Sequence, residues 1–129
     1  MKTSLKKSKY LEIAEVLMEN IVKGRLVPGE KIPSVRETAI HMGVTPNTAA
    51  NAHNQLRNMG VIKPVHGKGS VIVQDAPEIC RLYMEKQFIE HEMPVFRQRV
   101  ALLGLSKEQI LRLLQETQSL TGKRMEQDR

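Results

Sequence analysis

The stretch from Thr38 to Gln74 contains no aspartate or glutamate, yet it holds Arg57, Lys63, Lys68 and three of the four histidines. A segment rich in hydrogen-bond donors and free of carboxylates suits a polyanion. Within it, Thr45-Pro46-Asn47-Thr48 and the later asparagines Asn51 and Asn54 carry hydroxyls and amides that can bond to base edges. His66-Gly67-Lys68-Gly69 sets a cation between two glycines, so the backbone can come close to a duplex while the ammonium neutralises phosphate. Catalytic constellations are missing from the sequence. His41, His53, His66 and His91 are scattered, no H-E-x-x-H or C-x-x-C spacing occurs, and there is no acid-base pair, nucleophile triad or phosphate loop. Neither a metal nor a cofactor is expected, and the chain reads as a binding protein and not an enzyme.

Composition bounds what can hold these residues. A chain of 129 residues accommodates one compact domain and a short appendage. Two Phe, two Tyr and no Trp leave an aliphatic core, which favours helices. Eleven Lys and Arg face six Asp and Glu up to residue 75, against nine and eight beyond it, so five of the six net positive charges lie in the first part. The single cysteine, Cys80, excludes an internal disulfide and is expected to be inert and half-buried. No apolar run is long enough for a membrane span and the N-terminus has no apolar signal core, which points to the cytoplasm.

The elements follow from local signals. After basic residues Lys2, Lys6, Lys7 and Lys9, the spacing of Tyr10, Ile13, Ala14, Leu17, Met18 and Ile21 predicts a helix ending at Gly24. Val27-Pro28-Gly29-Glu30 has the residues of a type II turn. Ser34-Val35-Arg36-Glu37 reads as a capping box that starts a second, short helix, interrupted at Gly43. Thr45-Pro46 supplies an N-cap and an N1 proline for a third helix, with Ala49, Ala52, His53, Leu56 and Met59 turned inward. Two helices joined by a glycine turn form a helix-turn-helix. The β-branched runs Val61–Val65 and Ser70–Val73 then form a hairpin, with Pro64 on an edge strand. The fold class is mainly α with a small β-hairpin: a winged helix-turn-helix over residues 1–75 and a helical segment over residues 76–129.

In that second part, Ile79, Leu82, Lys86, Ile89, Met93, Phe96, Val100 and Leu103 keep a 3-4 spacing, broken in character only by Lys86. Pro94 should kink or split the helix. Gly104 ends it, and Ser106 to Gln109 forms a second capping box, with Leu105 and Ile110 as a hydrophobic staple. The last helix would carry Ile110, Leu113, Leu114 and Leu120, before a polar, frayed tail from Gly122. Roughly 50 residues enclose little core alone, so Leu82, Ile89, Met93, Phe96, Val100 and Leu103 are expected to form a homodimer interface. A twofold dimer would bind a palindromic operator with half-sites about one DNA turn apart, or a multiple of that.

Gly29-Glu30-Lys31-Ile32-Pro33-Ser34-Val35-Arg36-Glu37, Gly43-Val44-Thr45-Pro46-Asn47-Thr48, Gly60-Val61-Ile62 and His66-Gly67-Lys68-Gly69-Ser70, in that order, resemble the DNA-binding domain of the GntR family over residues 9 to 74. The short leucine-rich C-terminal part is similar to the two-helix dimerisation module of the YtrA-type subfamily. The resemblance implies a transcriptional regulator, usually a repressor, acting on double-stranded operator DNA. It implies that Ser34 and Arg36 contact phosphates and bases, that Thr45, Asn47 and Thr48 open the recognition helix, and that His66, Gly67 and Lys68 lie on a wing reaching the minor groove. Many members have arginine at the position of Ala50 or Asn51. Its absence here shifts the expected readout toward adenine, through Asn47, Asn51 or Asn54. Two other readings fit a winged helix: a protein-interaction module and a sequence-neutral architectural DNA-binding protein. No small-molecule effector is specified by the sequence.

Overall fold

The computed structural model describes residues 7–116. Lys2, Lys6, Leu120 and the tail from Gly122 lie outside the described residues. α1 (Lys9–Val22) buries Ile13, Ala14, Leu17, Met18 and Ile21 along one stripe, as the 3.6-residue period requires. Burying each of its larger aliphatic side chains contributes roughly 1.5–3 kcal/mol. The chain then reverses through Val27–Glu30, where the Glu30 amide donates to the Val27 carbonyl at 3.1 Å and Gly29 has φ +89°. That positive angle at the third residue defines a type II turn.

α2 (Val35–Met42) and α3 (Pro46–Asn58) follow, joined by a turn in which Gly43 has φ +65°. Left-handed backbone at this point lets two helices meet across three residues. α3 buries Ala49, Ala52, His53 and Leu56; Met59, just past its end, is half-buried rather than inside. Between α2 and α3 lies a buried polar contact: Thr38 Oγ1 and His53 Nε2 are 3.1 Å apart.

β1 (Ile62–Val65) pairs antiparallel with β2 (Gly69–Ile72), with Ile62 opposite Ile72 and Pro64 opposite Ser70. Among the described residues β1 has no further strand partner, so Pro64 sits on an edge strand, where a missing amide is tolerated. On the other side of β2 runs the chain just before α2. The Gly29 amide donates to the Ile72 carbonyl, Ile72 to Glu30 and Ile32 to Ser70, at 2.8 to 3.0 Å. Lys31 and Val71 form the antiparallel bridge between them. This extra pairing leaves Ile32 buried among Met18, Ile21, Leu56, Val61, Ile62 and Ile72.

α4 (Ala76–Gln87) packs on α1, and the core runs across residue 75 to include Ala76 and Cys80. Ile79, Tyr83 and Met84 pack against that core. Ile79, first in the 3-4 pattern, therefore faces inward, because α1 offers α4 its nearest apolar surface. Cys80 is fully buried rather than half-buried, and burial pushes its thiol up to about 11.

Phe88–Glu92 is a π-helical turn, closed by the Met93 amide donating to the Phe88 carbonyl five residues back. α5 (Met93–Leu103) begins directly after it, so Pro94 falls in its first turn, where an amide is dispensable. The wide turn is how the proline is accommodated without a break. One added residue rotates everything downstream by about 100°, so the 3-4 pattern is not one straight seam. A final helical stretch covers residues 107–116, behind Ser106, whose hydroxyl accepts from the Gln109 amide at 3.2 Å. Gln109 Oε1 accepts in return from the Ser106 amide at 2.8 Å. No described helix is long and apolar enough to cross a membrane.

Burial, with the Arg57 charge adding to it, holds the His53 imidazole below its ordinary value. The unfolded chain therefore takes up the proton first. Stability is complete above about pH 6.5, the ordinary imidazole value, and declines as pH falls through it. Thermal melts of the wild type should drop between pH 7.5 and 5.5, and His53→Gln should lose that part of the pH dependence. Thr38→Val, which leaves the ring unpaired, should cost about 1–3 kcal/mol in urea unfolding at pH 7.5.

Candidate nucleic-acid interface

The interface is built from two capped helix starts, one polar helix face and one hairpin tip. At the start of α2, Ser34 Oγ accepts from the Glu37 amide while Glu37 Oε1 accepts from the Ser34 amide, both at 3.0 Å. These bonds to Ser34 hold the Glu37 carboxyl below its usual range. The capping hydroxyl of Ser34 keeps its own proton free to donate outward. Arg36, next in the turn, is exposed and has no carboxylate partner among the described residues.

At the start of α3, Thr45 Oγ1 accepts from the Thr48 amide at 3.2 Å, and the two hydroxyl oxygens lie 2.9 Å apart. Pro46 occupies the first turn without needing a partner for its nitrogen. The remaining free amides and the helix dipole give this end a partial positive charge suited to a phosphate. Thr45 and Thr48 therefore shape the helix end, while Asn47 beside them is exposed.

Along α3 the spacing 4-3-4 puts Asn47, Asn51, Asn54 and Asn58 on one stripe. All four are exposed, opposite the buried Ala49, Ala52, His53 and Leu56. Thr48, Ala50 and Gln55 flank the stripe and are half-buried. Arg57 Nη1 donates to Asn54 Oδ1 at 3.4 Å, which engages one of the two lone pairs of that oxygen. Asn58 was not singled out by sequence, although the same spacing carries it. A shallow groove joins Asn51, Asn54, Gln55 and Asn58 to Tyr10 of α1, a neighbour that only the packing of α1 on α3 reveals.

On the wing, His66, Gly67 and Lys68 are exposed, and the Lys68 amide donates to the Val65 carbonyl at 2.9 Å to close the tip. Charge is segregated. The ion pairs among the described residues join Lys7 to Glu15, Lys9 to Glu12, and Arg81 to Glu78 and Glu85, all on α1, α4 or the residues just before α1. Lys63, Lys68 and Arg57 have no carboxylate partner among the described residues. No cluster of metal-ligating side chains occurs among them either. The surface can thus neutralise phosphates while offering uncharged amides to bases.

A family model described as bacterial regulatory proteins, gntR family, matches residues 9–72, from α1 to the end of β2. The helix-turn-helix transcriptional regulator YhcF of Bacillus subtilis is 32% identical over 102 residues, spanning 79% of this chain and 83% of that one. The chain belongs to the GntR family. It is a DNA-binding transcriptional regulator of that family, and α2, α3 and the hairpin make up its winged helix-turn-helix. The transcriptional repressor YtrA of Bacillus subtilis is similar over a shorter span: 37% identity over 67 residues, 52% of either chain. A GntR family regulator from Listeria monocytogenes superposes with a TM-score of 0.69 at 29% identity, covering 87% of this chain and 96% of its own.

In this GntR regulator the capping threonine of α3 should matter to the fold as well as to binding. Thr45→Ala should lower unfolding free energy by about 1 kcal/mol, read in urea titrations, and Thr45→Ser should recover most of it.

Proposed function

We propose that this GntR regulator is a sequence-specific repressor that binds a palindromic operator as a homodimer in the cytoplasm. The observation that carries the reading is the exposed, carboxylate-free asparagine stripe of α3, in a chain whose wing and α2 also carry cations without carboxylate partners among the described residues. Phosphate contacts from Ser34, Arg36, Lys68 and the free Asn47 amide in the first turn of α3 fix the register. Asn47 and Asn51 retain both donor and acceptor and can take an adenine edge in bidentate fashion. His66 and Gly67 approach the adjacent minor groove with the wing.

The dimer reading is supported by the outer surface of the C-terminal helices. Leu82, Ile89, Phe96 and Leu103 remain between 41 and 69% exposed in the single chain, and Met93 and Val100 are half-buried beside them. A monomer rarely leaves so much apolar surface to water. The phase change at Phe88–Glu92 gives this surface two facets, one on α4 and one on α5. Repression would follow from occupancy of the promoter; the similar YtrA of Bacillus subtilis is itself a transcriptional repressor.

Binding to a duplex enriched from a random-sequence pool should fall steeply with salt and resist competition by unrelated DNA. Asn51→Ala should narrow the difference between enriched and unrelated duplexes, while Lys68→Ala should weaken binding to both about equally. Salt-insensitive binding would favour a protein-interaction role, and equal binding to every duplex an architectural one. Phe96→Asp should convert a sedimenting dimer to a folded monomer; an unchanged sedimentation coefficient would remove the proposed interface.

A further inference from the structure

We infer that Lys31 is a phosphate contact of the DNA interface and links the start of α2 to the wing. The inference rests on the DNA-binding reading above. Lys31 lies three residues before the N-cap Ser34, but its backbone belongs to the wing through the bridge to Val71. Flanking bonds from Ile32 to Ser70 at 3.0 Å and from Ile72 to Glu30 at 2.9 Å fix that register. The cation is therefore held by two elements that are each expected to meet the DNA backbone.

Its side chain crosses the hairpin at Gly69. A Cβ on Gly69 would stand 3.1 Å from Lys31 Cε and 3.9 Å from Nζ. The lysine stem thus occupies the space in which any other side chain at residue 69 would begin. A stem laid on backbone has fewer rotamers to lose when its ammonium meets a ligand. The ammonium is exposed and makes no ion pair among the described residues. The carboxylate it influences, Glu37, is already committed to the Ser34 amide at 3.0 Å. With the acid engaged in its cap and Lys68 on the same hairpin, a non-bridging phosphate oxygen is the partner whose charge this position lacks.

Lys31→Met removes the charge and keeps an apolar stem over Gly69; Lys31→Arg keeps the charge. Both are to be compared with wild type and Lys68→Ala by fluorescence anisotropy at 50 and 200 mM salt. The probes are a duplex enriched from a random pool and an unrelated duplex of equal length, and melting temperatures are taken alongside. One phosphate contact fewer lowers the salt slope by about 0.9, so the advantage of wild type over Lys31→Met should shrink roughly threefold between the two salts. The shrinkage should be the same on both duplexes and absent for Lys31→Arg. A wild-type slope in Lys31→Met beside a reduced slope in Lys68→Ala overturns the Lys31 assignment and leaves the DNA-binding reading standing. Salt-independent behaviour of the wild type overturns both.

Discussion

The angle between the two helices of the helix-turn-helix rests on one polar contact inside an aliphatic core, Thr38 against His53 at 3.1 Å. Apolar packing is tolerant of small rotations, whereas a hydrogen bond in a low-dielectric interior is directional and costly to leave unmade. Alanines at 49 and 52 bring α3 close to its neighbours, and the Thr38 contact then selects one rotation of α3 from those the small side chains permit. The orientation of the asparagine stripe is a consequence of that choice.

The same helix must satisfy two opposite demands. Its inner face is short-chained and fully enclosed, while its outer face is amide-bearing and open. Asparagine is a poor helix former, so four on one face weaken α3 as an isolated helix. The Thr45 cap, the N1 proline and burial of Leu56 offset that weakness. A recognition surface of uncharged amides is thus carried by a helix whose stability comes from its ends and its back.

Much of this was readable from the chain because the decisive signals are local. Both serine capping boxes, the Thr45 cap, the Val27–Glu30 turn and the hairpin are each encoded within a few consecutive residues, and each is found in place. What was not readable depends on partners distant in sequence. Pairing of Glu30 to Ile32 along β2 needs residues some 40 positions apart and has no periodic signature over so short a run. Ile79 fits the 3-4 pattern of a helix seam and equally the inward face of α4, and only the presence of α1 decides between them. Pro94 announced a disturbance, but nothing in sequence told a kink from the π-helical turn that absorbs it. Thr38 and Cys80 carry no pattern that marks them as buried. Of the candidate interface, α3 and the wing tip were legible from residue type, and Asn58 follows from the same helical spacing; Tyr10 and Lys31 emerged from packing.

Because the strand-like residues before α2 are hydrogen-bonded to β2, the hairpin is anchored on both sides of the recognition unit. It cannot pivot on its own connection to α3 without breaking those bonds. The separation between helix and ribbon is then a fixed gauge, and a duplex that is to seat both must present its two grooves at that separation. Where the groove geometry of a sequence differs, the adjustment falls on the bendable polymer and not on the protein, so stiffness of the untouched base steps becomes part of what is discriminated.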